Sequence, residues 1–592
     1  MSLSVIHTSD DRLASAPVRE ALSAAVAAHG RATLLVPDFQ AQLEASRQLA
    51  GVEGLSMGVT VTTPEAWVKE RWEVWGDGTH VVEPMVRTMA LQTVVSQAAS
   101  AEGCPLGDNL GTVNTLARLA ERALPWLPID PQGQVNVVFA QECGLTRAEC
   151  AALGLLGTYS SLIESMGYVE GCVASVRLVG AMTAADAAKS VWPTVAAGFD
   201  SLSRARRDLL SDLAAVTDVS VVATRSNAAA TALLDTDLAL LLDSARTAGV
   251  SVEEGNAAGG CEPDPRGVRA QELRALIKNI FVGGRVEPAG AVSVVTPAGP
   301  VAESEAICRE ARRLADAGCA DVVVSVPDAA VAWRDLAPKL ARRGVSVQAT
   351  MAARADRLEA GRAFFQFAGV VARLAKLRDE WPQSEKVQEG TLVHLGDMSW
   401  WPPRDLTDFL LSSISDVPTG RAMALDARWR ADRLLTPADV LDLLQNRGRT
   451  SDSVAAATRE LLKGRLGSAA SKLLAPFVSG GFGPLDEVVS ADGAEVLLSV
   501  ERPQDSLADQ QAMGALGAVL DIAGVLKELG VTADPKAERR VALTELVALA
   551  TRAASHVKVV TRVRCEPEGA GPGTPVVRLV DHPRAATLPA RS

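Results

Sequence analysis

The segment Thr8-Ser-Asp-Asp-Arg-Leu-Ala-Ser15 occupies the place where an αβ nucleotide-binding domain does its phosphate chemistry. It follows a short apolar run, Ser2-Leu-Ser-Val-Ile-His7, and precedes Pro17-Val-Arg-Glu-Ala-Leu22, which reads as a helix with proline in its first turn. A phosphate cradle here would need glycines for close backbone approach and a closing Gly-Lys-Ser/Thr. This turn has neither glycine nor lysine, and its adjacent carboxylates Asp10 and Asp11 would repel a triphosphate. Alone, it reads as an ordinary strand-to-helix turn. At the head of a nucleotide-binding layout, Thr8, Asp10, Asp11 and Arg12 would be a degenerate phosphate loop.

Three other groups carry the residue types that handle nucleic acid. Arg204, Arg206 and Arg207 sit at the start of an expected helix, where they fit phosphate contacts or a solvated face. The pair Trp400-Trp401 could stack on unpaired bases or anchor a loop. Arg428, Arg430 and Arg433 lie close together before a helix start at Thr436-Pro437 and could line a strand-binding channel. Trp67, Trp72 and Trp75 form a stripe at helical spacing that reads as core.

Composition narrows the classes. At 592 residues the chain exceeds a single core, so several domains are expected. Hydrophobic content of 48% against 22% charged is an ordinary globular balance. The net charge of −12 disfavours a general nucleic-acid coat, while a local basic channel remains compatible with it. Eight scattered cysteines make no Cys-x-x-Cys pair, which argues against a zinc or iron–sulfur site and for a reducing compartment. The six histidines show no metal spacing. No signal peptide and no apolar run of membrane-spanning length stands out, so a cytoplasmic protein without membrane contact is expected.

The elements that must position these residues alternate. Strands at 2–7, 32–36 and 59–63 are separated by helices, which implies a parallel sheet. Helical periodicity then dominates 81–182. Strand character returns around 192–199 and at 219–224. A second alternating block opens with Ala291-Val-Ser-Val-Val-Thr296 and continues through strands at 321–326 and 345–348. A helical stretch covers 357–554, and strands at 557–563 and 576–580 close the pattern. The expected fold is α/β, with two RecA-like parallel-sheet domains each interrupted by a helical insertion. The parts are 1–80 and 186–285 for the first core, 81–185 for its insertion, 286–356 and 556–592 for the second core, and 357–555 for its insertion.

This layout resembles superfamily 1 helicases of the UvrD type. Four stretches resemble the AddB branch, the helicase-like subunit of bacterial helicase–nuclease complexes that process double-strand breaks. They are ATLLVPDFQAQLEASRQL with VTVTTPEAWV, then LGLLGTYSSLIESMGYVEG, then VAAGFDSLSRARRDLLSDLAAVTDVSVVAT, and the long stretch from VSVVTPAGPVAESEAICREARRL to GVSVQAT. Glu170-Gly171 stands where that family usually has Asp. The resemblance implies DNA as a ligand, an AddA-like helicase–nuclease as the partner subunit, and a role in recombination.

Departures from the pattern bear on activity. Phosphoryl transfer requires amides and a lysine on the phosphates, a carboxylate on Mg²⁺, and an arginine against developing charge. The turn after the first strand lacks that lysine and the glycines that would bring amides to a phosphate. Near Ala196-Ala-Gly-Phe-Asp200 only Asp200 is acidic, and Pro327-Asp328 stands where an arginine is usual. The expectation is a non-catalytic subunit that guides or clamps DNA. A divergent ATP-dependent helicase and a scaffold that has lost DNA binding are the alternatives. No cofactor is expected in these residues. Mg²⁺ and an iron–sulfur cluster would belong to a C-terminal PD-(D/E)XK nuclease domain, which this sequence is expected to lack, and the question of enzyme activity stays open.

Overall fold

The computed structural model describes residues 1–8, 12–99, 105–130, 134–225, 228–257, 267–280, 283–319, 322–380, 404–431, 436–478, 507–534, 540–571 and 574–581. The protein is mixed α/β, with most of its regular structure helical. Its opening strand β1 (Ser2–Thr8) is followed by α1 (Ala16–His29), β2 (Ala32–Leu35), α2 (Phe39–Ala50), β3 (Val59–Thr62) and α3 (Pro64–Trp75). The two-residue strands β4 (His80–Val81) and β5 (Tyr168–Val169) bracket α4 (Pro84–Ala99), α5 (Leu110–Ala123), α6 (Val137–Glu142) and α7 (Arg147–Ser165). After α8 (Gly171–Ala184) come β6 (Thr194–Ala197), α9 (Arg204–Val216), β7 (Val219–Thr224), α10 (Ala228–Thr247) and β8 (Ser251–Asn256).

Six of these strands make one sheet in the order β3-β2-β6-β7-β1-β8, every pair parallel. Successive side chains of a strand point to opposite faces, and both faces here are buried, which explains the near-continuous apolar runs. Leu34, Val195, Ala197 and Val222 pack with Val18 and Leu22 of α1 and Ala41 and Ala45 of α2. Leu3, Val5, Leu35, Ala196 and Val221 pack against α3, α8, α9 and α10. Trp67 and Trp72 belong to this second core, with Trp75 at its margin. Strand β8 and helix α10 extend the sheet beyond what alternation in the sequence predicts. Most of β8 is exposed, so it carries no buried apolar stripe to announce it.

The second sheet is smaller. Helix α11 (Val268–Asn279) precedes α12 (Pro300–Asp316), β9 (Val322–Val326), α13 (Ala329–Arg342) and β10 (Ser346–Arg354). The sheet is completed by β11 (Lys558–Cys565) and β12 (Val576–Asp581), in the order β11-β10-β12-β9. Two expectations are corrected here. The sheet is mixed, because β11 runs antiparallel to β10 across eight residue pairs from Val347–Cys565 to Arg354–Lys558. A short chain reversal after β11 leads straight into β12, so the two flank β10 in opposite senses. And residues 291–296 are not a strand; Val292, Val294 and Val295 are exposed there.

Between β10 and β11 lie α14 (Glu359–Glu380), then α15 to α19 (Arg404–Leu410, Thr419–Ala431, Pro437–Gln445, Asp452–Leu462 and Leu466–Val478), α20 (Leu507–Glu528) and α21 (Leu543–Ala554). Their core is built on Phe364, Phe367 and Phe409, the last two stacked with centroids 3.9 Å apart. Val86 and Met89 of α4 join this core, while Ala90 and Leu91 of the same helix join the core of α5 and α7. The two helical regions therefore share α4. Polar links reinforce the seam: Tyr168 Oη donates to Glu528 Oε2 at 3.0 Å and Arg552 Nη1 to Asp108 Oδ2 at 2.8 Å.

Candidate functional site

In an all-parallel sheet the carboxyl ends of the strands share one edge, and ligands of open α/β sheets lie in the crevice outside it. The ends of β1, β2, β6 and β7 bring together Thr8, Arg12, Pro37 and the Gly198-Phe199-Asp200 turn. Asp10 and Asp11 lie outside the described residues. Thr8 is buried, and Arg12 and Asp200 are exposed.

Apolar side chains line the described part of this edge. Gly198 has φ +80°, a left-handed conformation that favours glycine. A methyl group added there would lie 2.3 Å from Leu13 Cδ2 and 3.6 Å from Pro37 Cδ. Leu13 thus lies directly beside the β6 turn. Behind it, the Ala14 amide donates to Gln48 Oε1 at 2.9 Å, and Gln48 Nε2 donates to the buried Glu44 carboxylate at 2.9 Å. One amide of the helix entry is thereby spent on a side chain of α2. Ser15, the residue before α1, is 1% exposed and its Oγ has no hydrogen-bond partner among the described residues. His7 is buried at the end of β1, with Nε2 2.9 Å from Glu254 Oε1. Among the described residues at this edge, Leu13 and Pro37 are apolar and Asp200 is exposed, a set that does not fit a Mg²⁺–nucleotide. Among the described residues no cluster of three His, Cys, Asp or Glu side chains could hold a metal ion. No helix among them is long and apolar enough to cross a membrane.

The arginines of α9 are committed within the chain. Arg206 donates from Nε to Glu65 Oε1 at 2.9 Å and from Nη2 to the Pro37 carbonyl at 3.1 Å, with its guanidinium 5.3 Å from the Phe199 ring centre. Arg207 donates to the Leu202 carbonyl at 2.9 Å and to Asp237 at 2.5 Å. Arg204 lies over the Trp126 ring at 4.9 Å. Arg206 and Arg207 tie α9 to α3, β2 and α10. Of the second group, Arg428 is exposed, and Arg430, also exposed, pairs with Asp426 one turn back at 2.7 Å. Trp429 between them is buried in the helical core. Arg433, Trp400 and Trp401 lie outside the described residues.

A second polar cluster sits inside the first helical region. Arg87 of α4 grips Glu170 through Nε and Nη2, both at 2.8 Å, and Tyr159 of α7 donates to Glu170 Oε1 at 2.5 Å. Glu170 is 1% exposed and stands at the start of α8. Burial opposes the charge on Arg87, but the Glu170 carboxylate outweighs it and raises the pKa. Burial, helped by Glu170, raises Tyr159 and pushes the neighbouring Cys172 thiol up to about 12. The Tyr and Glu of the LGLLGTYSSLIESMGYVEG stretch are therefore joined by Arg87 into one lock across three helices. Neither Leu13 nor Gln48 carried a sequence signal, because each acts through a partner more than thirty residues away in the chain. No model of a known protein family matches this chain, and no curated protein matches it.

Proposed function

We propose that the chain is a non-hydrolysing, helicase-like subunit, similar to AddB, that handles DNA beside an AddA-like partner supplying ATP hydrolysis. The observation that carries this reading is the edge of the first sheet, where Leu13 lies beside Gly198 and the turn from β1 to α1 has neither glycine nor lysine. A six-stranded parallel sheet, wound on both faces, has its crevice at the carboxyl ends of its strands, and Leu13 beside Gly198 puts hydrocarbon there. The layout supports the rest. Each of two sheets is interrupted by a large helical region, as two RecA-like domains with insertions would be, and the strand ends of the first sheet lie at one edge. DNA contact then falls to side chains outside that edge, with exposed Arg428 and Arg430 as candidates.

The test uses the whole chain. Thermal melting with millimolar ATP–Mg²⁺ is expected to show no shift, and binding to forked or single-stranded DNA is expected to weaken steeply with added salt, as phosphate contacts do. ATP-dependent stabilisation would overturn the non-hydrolysing part. Absence of DNA binding at low salt would leave a protein-interaction scaffold in its place.

A further inference from the structure

The seam between the two helical regions forms where α4 lies against α20 and α21. Val82, Val86 and Met89 of the first region share a core with Val519 and Ile522 of α20, and Leu529, just past α20, packs into the core of α5 and α7. Toward α21 the polar groups are matched. Asp108 accepts from Gln92 and Ser96 of α4 and from Arg552 of α21. Burial opposes its charge, but these donors outweigh burial and hold the carboxyl below its ordinary range.

Along α20 carboxylates gather instead. Asp521 and Glu528 stand two turns apart on one face of that helix. Glu528 accepts from Tyr168 of β5 at 3.0 Å. Asp521 is half-buried, next to Ile522 of the seam core, and has no hydrogen bond or ion pair among the described residues. Glu83, the residue before α4, acts on it with a like charge. Glu83 pairs with Lys69 of α3 at 3.1 Å, but both side chains are exposed, so solvent screens that pair.

Among the described residues, no cation on the elements packed around α20 offsets this. Arg87 of α4 grips Glu170, Arg552 reaches Asp108, and Lys472 of α19, Arg362 and Arg373 of α14 and Lys558 of β11 are exposed. Of the acids there, Asp356 pairs with Arg354, and Glu359 and Glu545 are exposed. Burial, with Glu83 adding repulsion, raises the pKa of Asp521, and burial with Glu528 and Glu83 raises that of Tyr168.

We propose that this stretch of the seam is a proton-operated joint: with Asp521 protonated the two helical regions hold together, and its ionisation against Glu83 loosens them. The neutral carboxyl can lie against the apolar core, whereas the charged one draws in water. A carboxyl whose pKa rises on closure favours the closed seam while protonated. That contribution is present below its ordinary value of about 4 and is lost as pH rises through its closed-state value. Each unit of that rise changes the ratio of open to closed seam about tenfold. The joint requires neither DNA nor a partner subunit, so it stands apart from the functional reading.

Hydroxyl-radical footprinting of the full chain tests it. The probe is Met89, 4% exposed in the seam, and the internal reference is Met182, 1% exposed in the core of the first sheet. Between about pH 4.5 and about pH 8 the ratio of Met89 to Met182 oxidation is expected to rise about threefold or more in the wild type. The same ratio is expected to stay level in Asp521→Asn, and Glu83→Gln, which removes the repulsion, is expected to shrink the rise. A level ratio in the wild type overturns the proposal. So does an equal rise in Asp521→Asn, which assigns the response to other groups. If Asp521→Asn fails to fold, the wild type and Glu83→Gln decide, and a rise unchanged by Glu83→Gln overturns the joint.

Discussion

The two sheets arise from the same kind of sequence and end differently. In the first, a central strand such as β2 is buried along its whole length, and helices cover both faces. Its outer strands are managed: β3 is four residues long, and β8 carries Glu253 and Glu254. In the second, four strands of mixed sense have one face covered by α12 and α13, and Val323 of β9 is 37% exposed. Apolar β-branched runs specify that a segment can be a strand. They do not specify how many neighbours it acquires, which depends on where the crossovers and turns deliver the next segment.

The sharpest way to break this contrast is to truncate one side chain in each sheet. Leu34→Ala in the first, where the side chain is 0% exposed, is expected to cost about 2–5 kcal/mol in denaturant unfolding. Val323→Ala in the second should cost about 1 kcal/mol or less. Equal losses would mean that the second sheet is as closely packed as the first.

A smaller effect sharpens the account of the first sheet's edge. Gly198→Ala imposes about 1–2 kcal/mol of left-handed strain and also drives a methyl group into Leu13. The double variant Leu13→Ala, Gly198→Ala should therefore be less destabilised than the two single losses added together. Strict additivity would show that Leu13 does not press on Gly198.

The smallest effect is one of pH. Burial, with Asp208 adding like-charge repulsion, lifts Asp212 on α9 to about 6. A carboxyl raised on folding favours the native state while protonated. That contribution is present below its unfolded pKa of about 4 and is lost as pH rises through about 6. Asp212→Asn should raise Tm relative to wild type at pH 8 and bring little change at pH 4. An equal shift at both values would contradict the assignment.

Much of the first sheet was legible. Val219–Thr224 falls where its β-branched run places it, and the strands at 32–36 and 59–63 are followed by helices as expected, with Asp38 and Thr63 capping them in the structure. The tryptophan stripe at 67, 72 and 75 declared a core. The antiparallel sense of β11 was not legible, because strand direction is a property of a pair and leaves no trace in one strand's composition. Nor was the commitment of Arg206 and Arg207. Three arginines in four residues look alike in sequence, and only the approach of Glu65, Pro37 and Asp237 separates a structural clamp from a free cation.

The sequence alone determined local states: which runs could be strands, where helices begin, and that the first turn lacks the glycines and lysine of a phosphate loop. Tertiary structure decided the rest. It put Leu13 against Gly198. It joined Arg87, Tyr159 and Glu170 into one buried lock, and it set β11 antiparallel to β10. Backbone preference acts over a few residues and is written in them. Packing acts between segments far apart in the chain, and its outcome exists only once they meet.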